Sequence, residues 1–336
     1  GGRVVESIAL DDGTGEWFDY HGRTTRIRDR LGRETVYVSN SRQDIVAVHD
    51  AEGQVTRNEF DDAGRPGARI DALGRRTTTV FDARGNLSSM IDAAGQATSL
   101  EYNGLDLPIK LTDPSGAEWQ WRYDERGNLV ASIDPLGHTT QFEVDGIGQI
   151  TAIVDATGRR KRLEWSEAGD LVGYTDCSGN TTRYTFDALG HLRSVIDALG
   201  QTTEHRHDTR GRLLQLVRPG GATEKYTWDG EGHLVRHVDP MGHTTTWTYN
   251  GAGAPLKRVD ALGQALTFAY DAAGRLVTLT NENGEQTSFG YDRLDRLVDE
   301  IGFDSRHQRH AYDAAGGRTH LIERGGSQFG PGKVTR

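Results

Sequence analysis

The chain has one cysteine, Cys177, which excludes an internal disulfide and any site built from several thiolates. Long apolar runs are missing too. No stretch approaches the roughly 18 apolar residues of a membrane-spanning helix, and only 35% of the residues are apolar, so no membrane span is expected. Clustered positive charge is also lacking: the formal net charge is −10, with Lys and Arg interleaved among Asp and Glu. That pattern offers no footprint for nucleic acid. No helix-period apolar stripe stands out either. The chain opens on Gly1-Gly2 without a charged-then-apolar leader, which reads as a piece of a longer protein.

Glycine, by contrast, is plentiful, at 43 of 336 residues, and it falls at regular places. The stretch Tyr123-Asp124-Glu125-Arg126-Gly127-Asn128-Leu129 is rewritten along the chain. Its aromatic returns as Phe60, Phe81, Tyr102, Tyr123, Trp165, Phe186, Trp228, Tyr249, Tyr270, Tyr291 and Tyr312, always on an interval of 21 or a multiple of it. Val144 and His207 stand in the aromatic slot, and counting back reaches Ser39 and Phe18. A fixed period of this size marks a repeat architecture, in which each unit is too small to bury a core and must stack on its neighbours.

Turn chemistry divides each unit. Asp-x-x-Gly occurs twice, as at Asp82 to Gly85 and Asp92 to Gly95. An Asp at the first turn position accepts from the backbone ahead of it, and Gly supplies the positive φ that closes the turn. Between the turns lie short segments rich in Thr, aromatic and branched residues, such as Thr77 to Phe81 and Leu192 to Ile196, which is strand composition at strand length. Pro66, Pro108 and Pro255 fall at strand starts, where a missing N–H is tolerated. The fold class expected is all-β: consecutive antiparallel hairpins of 21 residues forming one long, curling sheet. Residues 1–17 read as a degenerate entry segment, 18–316 as the repeat array with Phe18-Asp19-Tyr20-His21-Gly22 as its first turn, and 317–336 as a glycine-rich segment leading onward.

Columns follow from the frame. With the aromatic at position 0, position −2 carries Tyr37, Trp121, Phe142, Tyr184 and Trp247, position −4 is most often Thr, and position +6 is most often Leu. Alternate residues share a face, so these columns stack into ladders, and the leucines join the aromatics if the first turn pairs 0 with +6. An odd period cannot keep strict alternation through two equal turns. Each unit must therefore contain a β-bulge or an even-length loop. About thirty strands at ~4.8 Å make a strip on the order of 140 Å wide, which twist forces to coil.

Candidate chemistry was weighed residue by residue. The turn carboxylates Asp61, Asp71, Asp82, Asp92, Asp124 and Asp134 have the position of turn caps rather than of a calcium ladder or an acid–base pair. His138, His191, His205, His207, His233, His237 and His243 lack metal-ligand spacing. Gly251-Ala252-Gly253 and Gly220-Gly221 lack the following helix of a phosphate loop. Cys177 reads as a small turn residue. No catalytic, cofactor-binding or metal-binding residue is therefore nominated, and the segment is not expected to be an enzyme.

The unit Tyr270-Asp271-Ala272-Ala273-Gly274-Arg275-Leu276, followed by a second Asp-x-x-Gly, resembles the YD repeat of bacterial Rhs proteins, toxin-complex shell subunits and teneurins. The resemblance implies a hollow β shell around a C-terminal toxin domain, exported by a bacterial secretion apparatus. By that resemblance the partners are the toxin domain of the same parent chain, the neighbouring repeats and the secretion apparatus. Rhs cores end in a self-cleaving Asp-Pro-x-Gly segment. Asp134-Pro135-Leu136-Gly137-His138 and Asp239-Pro240-Met241-Gly242-His243 carry His where the family has an apolar residue, and they read as ordinary turns. The rival reading is a cell-surface adhesion or carbohydrate-binding repeat protein using rings such as Trp121 and Trp247.

Overall fold

The computed structural model describes residues 6–8, 15–325 and 334–335. Every regular element among the described residues is a β-strand, and each printed pairing is antiparallel, from one strand to its neighbour in sequence. Two compact units are distinguished. One comprises 1–77, 229–236 and 244–336, the other 78–228 and 237–243. The expected glycine-rich segment beyond 325 lies outside the described residues, apart from Val334–Thr335, and so does most of the 1–17 segment.

One repeat of the second unit stands for the rest. The six-residue strand Glu118–Tyr123 leads into a five-residue turn, the five-residue strand Leu129–Ile133, a second five-residue turn, and the next strand Thr139–Val144. In the first turn the Asp124 N–H donates to the Asn128 carbonyl at 2.9 Å and the Gly127 N–H donates to the Asp124 carbonyl at 3.1 Å. Gly127 sits at φ +86°. That is a type I turn closed by a left-handed residue, and a side chain other than Gly is strained there.

The expected parity break is present, and its place is fixed. Arg122 pairs with Ala131 but Tyr123 pairs with Leu129, so Val130 is the extra residue of a bulge. The same slip falls before Tyr102, Val144, Trp165, Phe186 and Tyr270. The second hairpin is regular, with Ala131, Ser132 and Ile133 opposite Gln141, Thr140 and Thr139. One bulge per unit returns every aromatic to the same face, and position 0 does pair with +6.

The register also climbs. Phe142 at −2 lies opposite Ile153, which lies opposite Lys161 at −4 of the next repeat. A row running across the strands thus shifts by two residues per repeat.

The sheet is a single layer, so no large side chain among the described residues is fully buried. Its buried apolar residues are small, Ala68, Ala131 and Ala152. They lie opposite the charged −1 column, Ala131 facing Arg122 and Ala152 facing Glu143. The need for a small partner is plainest at Gly173, where a Cβ would stand 2.8 Å from the Glu164 carboxylate.

The first hairpin departs from the expected frame. Gly15–His21 and Thr24–Asp29 pair without a slip, Phe18 opposite Ile27 and His21 opposite Thr24. Gly22, at φ +59°, is the first central residue of a two-residue loop, the place of Gly in a type II′ turn. Asp19 therefore lies mid-strand opposite Arg26 rather than opening a turn. A Gly directly after the strand permits a tighter reversal than Asp-x-x-Gly. The repeat proper begins with the turn at Asp29, whose N–H donates to the Arg33 carbonyl at 3.1 Å.

Candidate functional site

The turn carboxylates are engaged by their own backbone. Asp124 Oδ1 accepts from the N–H groups of Arg126 at 2.9 Å and Asn128 at 2.8 Å, while Oδ2 accepts from the Asn128 amide at 2.8 Å. The Asn128 amide, then its N–H, hold the Asp124 carboxyl below the usual carboxylate range. Asp155 is drawn down to about 2, first by the Thr157 hydroxyl. Asp134 and Asp239 make the same bonds, so both Asp-Pro-x-Gly stretches are turns.

The histidines divide by position. His138, His191, His233 and His243 each place Nδ1 on the aspartate of their own turn, at 2.9 to 3.2 Å. His205 and His207 stack at 6.3 Å on one strand, as their alternate spacing requires, and His191 lies 5.6 Å from His207. Burial, and then the neighbouring His207, push the His205 imidazole down, and its Nδ1 has no hydrogen-bond partner among the described residues. No group of three or more possible metal ligands gathers among the described residues.

The aromatic column has a role that residue spacing alone did not reveal. The phenols of Tyr102, Tyr123, Tyr249, Tyr270, Tyr291 and Tyr312 each donate to a backbone carbonyl fifteen residues back, at 2.8 to 2.9 Å. The indoles of Trp165 and Trp228 do the same at 2.7 and 2.8 Å. Phe60 has no donor, and there Asn58 reaches the Ile45 carbonyl at 2.9 Å instead. The signal available in the sequence was the excess of Tyr and Trp over Phe in this slot.

A cation often covers the ring. Arg275 bonds Asp271 at 2.7 Å and lies 4.8 Å from the Tyr291 ring centre. Arg296 repeats this with Asp292 and Tyr312, and His233 lies 4.8 Å from the Tyr249 ring. Carboxylate, cation, ring and carbonyl thus form one chain of contacts that ties each repeat to the next.

A denser cluster surrounds Glu224, a −4 residue where Thr is usual. Tyr226 donates to it at 2.8 Å, His237 lies at 3.2 Å, and Arg218 binds its other oxygen through two nitrogens at 2.9 and 2.7 Å. Burial, then the Glu224 carboxylate, push the Tyr226 phenol up to about 12. Both carboxylate oxygens are occupied, so the cluster is closed on itself.

Four residues other than Gly hold the left-handed turn position: Gln43, Asp106, Asp295 and Ser305, at φ 72°, 60°, 60° and 60°. The Asp106 carboxylate meets Arg84 at 2.9 Å. Asp295 receives Arg275 at 2.8 Å and also the Arg33 guanidinium, 262 residues away in the chain. Beside this pair Arg296 reaches Glu52 at 3.2 Å. The turns near 30–52 and near 292–296 therefore lie against each other within the first unit.

The RHS Repeat family model matches residues 81–118, 102–140, 123–160, 165–192, 186–223, 228–265, 249–286 and 270–307. No curated protein matches. Among solved structures, the chain resembles the crystal structure of TcdB2-TccC3-TEV, with a TM-score of 0.85 and 17% identity over 99% of this chain and 22% of that one. TcdB2-TccC3 without its hypervariable C-terminal region gives 0.84 and 18%, over 99% and 21%. The Photorhabdus luminescens Tc holotoxin pore bearing a TccC3 point mutation gives 0.62 and 16%, over 99% and 21%. At these identities the likeness is one of fold. The chain spans about a fifth of the length of those proteins.

Proposed function

The chain belongs to the RHS repeat family, and we propose that it is a structural, non-catalytic stretch of shell wall whose parent encloses a C-terminal toxin domain for delivery to target cells. The observation that carries this reading is the 21-residue frame itself, kept in register by one bulge per unit and superposing over 99% of the chain on TcdB2-TccC3. The side-chain chemistry agrees with a wall. Turn carboxylates cap turns, rings tie repeat to repeat, and the Glu224 cluster satisfies itself. The parent is then an exported bacterial protein whose partners are its own toxin domain, the adjoining repeats and the export apparatus.

Electron microscopy of the full-length parent tests this. A hollow particle with density inside, and a downstream segment that resists protease until the particle is denatured, is the expected result. A solid globule, an extended rod, or a downstream segment cleaved at the rate of a free peptide overturns it.

A further inference from the structure

The geometry points to a saccharide-binding cleft on the first two hairpins, sized for a pyranose ring held between Tyr20 and Tyr37. Three observations converge on it. The row Tyr20, Thr25, Tyr37 crosses three adjacent strands, Tyr20 opposite Thr25 and Thr25 opposite Tyr37. Two strand spacings of ~4.8 Å separate the tyrosines, with only a small Thr between, so a slot opens above it.

The second observation is a missing ring. Ser39 occupies the aromatic position of its repeat and pairs with Ile45 across the bulge. Where Tyr or Trp holds that slot, the paired side chain is half-buried, as Leu129 is opposite Tyr123. Ile45 is instead 39% exposed. Together the slot and the gap make a cleft of about 650 Å³.

The third is strain. Gln43 takes the left-handed turn position at φ 72°, where most of the turns have Gly, and its side chain lines the cleft. Strain held in this way calls for a role in the folded protein. The side chains of Tyr37, Ser39 and Gln43 make no hydrogen bond to another described residue, so their phenol, hydroxyl and amide are available to a ligand. Apolar ring faces with a few hydroxyl and amide groups are what a neutral sugar requires, its C–H face on the aromatic ring and its hydroxyls on the polar rim. None of these three side chains carries a charge, which favours a neutral sugar over an anion. The cleft is independent of whether the parent forms a closed shell.

Saturation-transfer NMR and calorimetry on the whole chain, with glucose, galactose, mannose, N-acetylglucosamine and their disaccharides, test the inference. At least one sugar is expected to bind. Ser39→Tyr restores the repeat's own ring and fills the gap, and is expected to melt no lower than the parent while weakening that sugar at least tenfold. Gln43→Gly relieves the backbone and is expected to weaken it several-fold. The inference is overturned by three results: no saturation transfer from any sugar at tens of millimolar, undiminished binding by Ser39→Tyr, or binding of an aromatic dipeptide probe with no sugar able to displace it.

Discussion

The phenol of Tyr123 donates to the carbonyl of Pro108 at 2.9 Å, one repeat back across the sheet. This bond makes the repeats interdependent, because each ring completes the hydrogen bonding of its neighbour's backbone rather than its own.

Tyr123→Phe keeps the ring and deletes the donor. It should cost about 1 kcal/mol, the usual worth of such a bond, and hydrogen exchange should quicken in residues 108–112 ahead of distant repeats. The converse change, Phe186→Tyr, places a phenol within the pattern to reach the Leu171 carbonyl and should slow exchange there. Equal exchange in wild type and both variants would sink the ring–carbonyl account. Local exchange is the proper readout because long repeat arrays need not unfold in two states.

Gly127→Ala forces a Cβ into φ +86° and sets it 3.3 Å from Leu107 Cδ1. The left-handed conformation should cost about 1–2 kcal/mol, read as a fall in the local opening free energy of that turn. A variant with unchanged exchange in residues 124–128 would show that the turn tolerates the residue.

Arg33→Ala and Asp295→Asn should each loosen the contact between the turns near 33 and near 295. Asp295 is 53% exposed on its side chain, so solvent screening limits the loss to about 1 kcal/mol or less. Raising salt to about 1 M should reproduce the effect in wild type and add little in the variants. Salt-independent exchange at both turns would contradict an electrostatic contact.

Lowering pH should act in two stages. His205 is held below its ordinary value by burial and by His207. The unfolded chain therefore takes up that proton first, and stability begins to fall as pH drops below about 6.5. His205→Tyr should flatten this first slope. The turn aspartates, among them Asp124 and Asp155, are depressed in the folded state. Their contribution is complete above the unfolded value of about 3.9 and is lost as pH falls through the lowered values, toward about 2 for Asp155. Melting temperature against pH from 8 to 2 checks both stages, and an unchanged first slope in His205→Tyr would remove His205 from the account.

Deleting Val130 alone removes the bulge and throws each later side chain to the opposite face, so this one-residue deletion should abolish folding of the array. Deleting all of residues 124–144 keeps the frame and should leave a folded, shorter chain by circular dichroism and exchange. The reverse ranking would refute the parity argument.

Much was legible before any coordinates. The strands, both turns of each unit and the capping role of Asp124 follow from contacts within five residues, where side-chain type and backbone choice are directly coupled. The need for a bulge was arithmetic, since an odd period cannot alternate. Its position was not legible, because Val130 is an ordinary strand residue and only the pairing across the hairpin makes it the extra one. The first hairpin escaped for a similar reason: Asp19 to Gly22 has the letters of the repeat turn, yet Gly22 closes a tighter loop.

The sequence by itself determined the period, the all-β class and the absence of a nominated catalytic constellation. Only the tertiary structure decided which carbonyl each ring meets, that Ser39 leaves a cleft beside Tyr37, and that Arg33 finds Asp295. Those depend on sheet register and on the path of the chain through space, and residues 262 positions apart carry no local signal of their meeting.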